Sequence, residues 1–101
     1  MSQTPPPASL PPLLSGERVN RLVNLFKGER FSLHAERLEG ALTFTHINET
    51  ADEAIYVVAG AMSMRLGDGT VALVEGEVQV IPRGVPHGDL IGHADLLVIE
   101  G

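Results

Sequence analysis

The first regular pattern of apolar residues has helical spacing. Between residues 15 and 28, apolar side chains recur every three or four positions, at Val19, Leu22, Val23 and Phe26. Ser15 can cap the start of such a segment, and Gly28 can end it. The spacing therefore predicts an N-terminal helix of about three turns, whose apolar stripe needs a partner surface.

From residue 29 the period changes to two. Short runs of alternating or β-branched apolar residues are separated by turn residues such as Gly67-Asp68-Gly69 and Glu75-Gly76. Gly40 and Ala59-Gly60 interrupt two further runs. Turn signals at this spacing predict about eight short strands, and a chain of this kind is typical of an all-β sandwich or barrel.

The length of 101 residues corresponds to one domain. Five of the seven prolines lie in residues 1–12, so we interpret 1–14 as a flexible Pro-rich arm and 15–101 as a single domain. A core of this size is modest, and a bound metal ion or a second subunit would help to stabilise it.

Charge and composition exclude several classes of function. The net charge of −6 argues against a nucleic acid partner and against an anionic membrane surface. The absence of cysteine excludes disulfides, zinc–thiolate sites and thiol nucleophiles. No apolar stretch reaches the length of a membrane span, and the N-terminus has no signal-peptide pattern, so we expect a cytoplasmic protein.

Four residues are candidate metal ligands. His46 and Asn48 are two apart on a predicted strand, so their side chains leave the same face. Glu53 begins the next apolar run, and His87 follows the segment Pro82–Pro86. If these segments line one barrel, two imidazoles and a carboxylate can converge on an ion; an empty polar cavity is the alternative.

The spacing of these residues resembles that of the cupin family. Residues 40–60 are similar to the first cupin motif, with matches at Gly40, His46, Asn48, Glu53 and Gly60. Residues 76–87 resemble the second motif, with matches at Gly76, Pro82, Gly84 and His87. The chain looks like the small stand-alone cupins called mannose-6-phosphate isomerase-like. It departs from the family pattern at Asn48, which replaces a histidine and would be a weaker fourth ligand, and at Ile91, which replaces an asparagine.

The resemblance implies a short jelly-roll barrel of two antiparallel sheets that holds one divalent ion, namely Fe, Mn, Zn or Ni. It also implies a small oxygen-rich organic ligand, and a homodimer that buries residues 19–26 or 31–35. Because Arg65 and Arg83 are the only basic residues after position 38, a neutral diol or small hydroxy acid is favoured over a sugar phosphate. Three alternatives remain open: a non-haem iron dioxygenase, a binding or sensing module without metal, and metal-free proton transfer.

Overall fold

The described part of the chain is built from antiparallel strands. The computed structural model describes Pro7 and residues 19–101. These residues form six strands: β1 Val23–Lys27, β2 Ser32–His46, β3 Glu53–Leu66, β4 Gly69–Val74, β5 Val78–Ile81 and β6 His87–Glu100. Among them no helix has the length and hydropathy that crossing a bilayer requires. The predicted all-β class is confirmed.

The strands pair in the order β1-β2-β6-β3-β4, and β5 also pairs with β3. β3 has β6 along one edge, while its other edge pairs with β5 over residues 53–56 and with β4 over residues 61–66. Tight turns at Gly67-Asp68 and Glu75–Glu77 separate β3, β4 and β5, as the sequence predicts.

Three glycines bend the long strands at the same level of the sheet. Gly40 of β2 pairs with Gly92 of β6, which pairs in turn with Met62 of β3, two residues beyond Gly60. Gly40 and Gly60 have φ angles of 94° and 84°, which residues with a Cβ rarely adopt. A glycine inside a strand commonly marks a barrel corner. Each long strand therefore runs from one layer of the fold into the other.

The bends explain why the structure has fewer and longer strands than the sequence predicts. The expected strand breaks at Gly40 and at Ala59-Gly60 are corners inside continuous strands. The described residues therefore form five strands after residue 28 instead of about eight, and β1 is a sixth. The two layers of the jelly roll are parts of one continuous six-stranded sheet. The first layer contains residues 32–39, 53–59, 78–81 and 93–100 with β1, and the second contains residues 41–46, 61–66 and 87–91 with β4.

The core lies between the two layers. It is formed by the inward-facing apolar side chains Leu38, Ile55, Val57, Met62, Met64, Leu73, Ile81, Leu90, Ala94 and Leu96. Toward one end of the barrel this core gives way to polar side chains, and the candidate site lies there.

The helix predicted over residues 15–28 is wrong where the structure describes it. Residues 15–18, and the predicted arm apart from Pro7, lie outside the described residues. Val19 and Asn20 form a turn, and residues 23–27 form β1, in which Val23 pairs with Ala35 and Phe26 with Leu33. Apolar residues three or four apart also fit a short strand with a bulge, and pairing with β2 outweighs the weak local preference for a helix.

Candidate metal centre

The three predicted donor residues occupy strand ends that face each other across the barrel. His46 is the last residue of β2 and pairs with His87, the first residue of β6, in the second layer. Glu53 is the first residue of β3 and lies in the first layer, where it pairs with Ile81 and Glu100. The bends in the long strands fold the first layer over the second. Residues at opposite ends of the pairing between β3 and β6 therefore become neighbours at this end of the barrel.

The donor atoms of these residues form a small triangle. Nδ1 of His46 lies 3.2 Å from Nε2 of His87 and 3.3 Å from Oε1 of Glu53, and the third side is 3.5 Å long. Two donors in neighbouring positions on one ion, each at about 2.1 Å, lie roughly 3.0–3.4 Å apart. Two sides of the triangle fall within this range and the third is slightly longer, so the triangle is close to the size that ligation of a single transition-metal ion requires.

The Glu53 carboxylate is the least satisfied group of the triangle. Its side chain is only 6% exposed, and Oε1 accepts no hydrogen bond from the described residues. The two ring nitrogens lie close to Oε1, but neither meets the geometry of a hydrogen bond. A buried carboxylate without a partner is costly, whereas a cation beside it compensates the charge. The residues present thus fit a divalent ion.

A backbone contact fixes the orientation of His87. Its Nδ1 lies 3.1 Å from the carbonyl oxygen of Val85, and a carbonyl oxygen can only accept a hydrogen bond. The proton of the neutral ring is therefore on Nδ1, and Nε2 directs its lone pair at the triangle. Val85 is itself held in a turn by a hydrogen bond from its N–H to the carbonyl oxygen of Pro82. Support of this kind is typical of metal-binding histidines.

His46 is more exposed than its two partners, and a separate network positions the strand that carries it. Its side chain is 47% exposed, and its ring meets that of His87 edge to face at 5.0 Å. Arg65 pairs with Asp89 at 2.9 Å and donates a hydrogen bond to Oγ1 of Thr45 at 2.7 Å. Asp89 also accepts a hydrogen bond from the Phe44 N–H. The network thus ties β3 and β6 to the bulge of β2 just before His46.

The side-chain oxygen of Asn48 is hydrogen bonded within its own loop. Its Oδ1 accepts hydrogen bonds from the N–H and hydroxyl of Thr50, at 3.1 and 3.2 Å, and from the N–H of Ala51, at 3.0 Å. These bonds form a turn in the loop between β2 and β3, which is the usual local use of an Asn side chain. The oxygen that the sequence assigns as a weak fourth ligand therefore has three partners in its own loop.

The triangle forms part of the wall of a cavity of about 410 Å³ between the layers. Apolar side chains make up much of the remaining wall, together with Thr45 and two further carboxylates: Leu22, Phe44, Ile55, Leu90, Leu96 and Val98 beside Glu36 and Glu100. A cleft of this size accepts a small organic molecule, and its largely apolar wall strengthens polar interactions inside it.

Sequence reasoning missed two features of the site. Alternation along the sequence places Glu36 on the strand face opposite Leu33 and Ala35 and assigns it no role, but its side chain faces the cavity and is only 8% exposed. Leu38 and Leu42 lie on the same strand face as Glu36 and pack in or against the core. Their alternation with Glu36 could have identified it as an inward-facing residue. Asp89 was also missed, because only its contacts with β2 and β3 reveal its role.

Comparisons with known proteins agree with this fold. The family model described as a cupin domain matches residues 27–89. An RmlC-like cupin from Desulfovibrio desulfuricans superposes with a TM-score of 0.79 at 18% identity, over 98% of this chain and 97% of its own. For the TT1209 protein of Thermus thermophilus the TM-score is 0.70 at 28% identity, over 85% and 86% of the two chains.

A third solved structure is a Ralstonia eutropha JMP134 protein whose name assigns it provisionally to mannose-6-phosphate isomerase. Its TM-score is 0.74 at 13% identity, over 95% of this chain and 97% of its own. No match is found among the curated proteins. The cupin model covers well over half of the 101 residues, including all three members of the donor triangle. The chain therefore belongs to the cupin domain family.

Proposed function

We propose that this protein binds one divalent metal ion on His46, Glu53 and His87, and that a small oxygen-rich organic ligand binds at this ion inside the barrel. The observation that carries the proposal is Oε1 of Glu53, a buried carboxylate oxygen without a hydrogen bond, 3.3 and 3.5 Å from two imidazole nitrogens. With His87 hydrogen bonded to Val85, at most one proton can lie among these three atoms when both rings are neutral and the carboxylate is ionised. An ion satisfies all three at once.

The donor set restricts the choice of ion. Two imidazoles and a carboxylate suit Fe, Mn, Zn and Ni, whereas a hard ion such as Ca²⁺ prefers oxygen ligands throughout. Three protein donors leave coordination positions open to a ligand or to water. A bound ion would act there as a Lewis acid that polarises an oxygen atom of the ligand.

The cavity walls support the second half of the proposal. Phe44, Leu90 and Val98 line the cavity with apolar surface, which strengthens polar interactions made beside it. Neither Lys nor Arg is among the residues that line it in the described part of the chain. A phosphate group would therefore find no basic side chain, which supports a ligand with hydroxyl groups over a sugar phosphate.

The test is metal analysis of the purified protein with matched variants. We expect about one ion per chain in the wild type, and loss of that ion in Glu53→Gln and in His87→Ala. Glu75→Gln and His93→Ala, which change exposed residues of the same types, serve as controls and should retain the ion. Equal metal content in wild type and in both site variants would contradict the proposal, and a wild type without any metal would favour the metal-free binding module.

We also propose that the protein is a homodimer through the outer face of the first layer. Two rows of cross-strand neighbours make this face apolar across five strands: Phe26, Leu33, Ile99, Ala54 and Val80 in one row, and Val23, Ala35, Leu97, Tyr56 and Val78 in the other. Val78 and Val80 are 55% and 56% exposed. Continuous apolar surface of this kind marks an interaction site, and a small domain gains stability by covering it with a second copy.

A further inference from the structure

The charged residues of the cavity are all acidic or imidazole. Besides Glu53, the carboxylates of Glu36 and Glu100 line the wall, and His46 and His87 are the only lining side chains among the described residues that can become cationic. A divalent ion in the triangle offsets the charge of Glu53 and one further carboxylate. Any additional anion that entered would meet an unbalanced negative charge at short range, where water screens poorly.

Glu36 is the carboxylate whose role the fold leaves unexplained. It is 8% exposed, faces the cavity from β2, and lies beside Leu96 across the ladder. Its side chain makes no hydrogen bond or ion pair with any described residue, although several of the surface carboxylates do. Burial raises the pKa of Glu36, because the apolar surroundings disfavour the charged form.

A polar group in this position costs stability unless something pairs with it. The metal triangle does not use Glu36, since its donors come only from His46, Glu53 and His87. Because no described residue pairs with Glu36, the contents of the cavity are the source of a partner that the described residues leave open. A carboxyl group that is surrounded by apolar side chains pairs best with a hydroxyl group or an ammonium group, both of which donate hydrogen bonds to it.

We propose that Glu36 is a specificity-determining residue that binds a hydrogen-bond-donating end of the ligand, so that the cavity accepts polyols and amino alcohols and rejects anionic compounds of the same size. This inference rests on the proposed function, because the ion would hold the other end of the ligand. It narrows the ligand class, since small hydroxy acids carry a carboxylate that the acidic wall repels.

The test compares three probes that share a vicinal diol and differ in one end group: 3-amino-1,2-propanediol, glycerol and glycerate. Calorimetry on the metal-loaded full chain should rank the amine first and the acid last, with about a tenfold or larger difference between these two, as a charge-assisted hydrogen bond implies. In Glu36→Gln this difference should fall to about twofold while the metal content stays unchanged. Glu39→Gln, an exposed change on the same strand, should keep the wild-type ranking.

Several outcomes would overturn the inference. One is equal or tighter binding of glycerate by the wild type, which does not depend on whether any variant folds. A second is a ranking that survives in Glu36→Gln, and a third is a metal-loaded protein that binds none of the probes at millimolar concentration. Failure of the metal site is a separate result: if no ion is retained but the amine still binds through Glu36, the proposed function is wrong and the role of Glu36 stands.

Discussion

Glu53 and His87 lie at opposite ends of the ladder between β3 and β6, yet Oε1 of Glu53 is only 3.5 Å from Nε2 of His87. The corners at Gly60 and Gly92 fold the two ends of that ladder over each other. The triangle therefore joins the two layers of the barrel, and an ion bound there would connect strands that the ladder itself keeps far apart.

This relationship predicts that metal stabilises the fold. At a metal concentration of 100 times the dissociation constant, binding to the native state alone adds about 2.7 kcal/mol to the free energy of unfolding. Thermal denaturation should show a higher Tm with metal and a lower one with chelator. Glu53→Gln should abolish this response and should melt no lower than the metal-free wild type, because it removes a buried charge without a partner. A metal response that Glu53→Gln preserves would contradict the role of this carboxylate.

The burial of Glu36 leads us to expect that the stability of the protein depends on pH. Its pKa in the folded state is raised above the ordinary value by burial. Over the interval between the two pKa values, the folded state holds a proton that the unfolded state has lost, so the free energy of unfolding falls as the pH rises through this interval. Urea unfolding of the metal-free protein should show this decline, and Glu36→Gln should be less sensitive to pH and more stable than the wild type at neutral pH. Parallel curves for the two proteins would contradict this expectation.

The contact between Arg65 and Asp89 predicts an indirect effect on metal affinity. Arg65→Ala and Asp89→Ala each remove support from the bulge of β2 before His46, and each should weaken metal binding by about tenfold or less. The double variant should be little worse than either single one, because both changes break the same network. Arg37→Ala, which breaks the ion pair with Asp95 away from the cavity, is the matched control and should leave the affinity unchanged. Additive losses would show that the two residues act separately.

Substitutions of Asn48 can distinguish a role as a metal ligand from a role in the structure of its loop. Asn48→Ala removes the acceptor of three hydrogen bonds in the loop before β3, so we expect a loss of about 1–2 kcal/mol in stability. The number of ions bound per chain should stay the same, because the Asn48 oxygen already accepts three hydrogen bonds within its own loop. Asn48→Asp keeps the acceptor and should restore most of the stability. Loss of the ion in Asn48→Ala but not in Asn48→Asp, whose carboxylate can also ligate, would instead favour a ligand at position 48.

The apolar outer face of the first layer predicts that a charged residue introduced there dissociates the dimer. Val80→Lys and Ile99→Lys place a cation in the same cross-strand row of the first layer and should shift light scattering from a dimer to a 10.8 kDa monomer. Ile91→Lys changes another exposed apolar residue, at 57% exposure, on the other layer and should leave the dimer intact. A wild type that is monomeric at micromolar concentration would contradict the proposal.

The sequence supplied the class of fold and the three donors of the triangle because both depend on local spacing. Alternation marks strands, and the motif places His46, Glu53 and His87 at strand ends. β1 was missed because a run of five residues is too short for its pattern of apolar residues to distinguish a strand from a helix. Glu36 was missed because Phe31, Leu33 and Ala35, on the opposite face of the strand, are apolar as well. The phase of burial is ambiguous when both faces of a strand carry apolar residues.

The corners at Gly40, Gly60 and Gly92 also have a consequence for the way the chain folds. β2 pairs along its whole length with β6, which joins Ser32 to Glu100 at one end and His46 to His87 at the other. Such pairs are distant in the sequence, and a chain dominated by them closes large loops before it gains their energy, which slows folding to milliseconds or seconds. The donor triangle requires both this pairing and the closure of the corners. The ability to hold an ion would therefore appear only in the last step of folding, and metal capture in a stopped-flow experiment would report completion of the barrel.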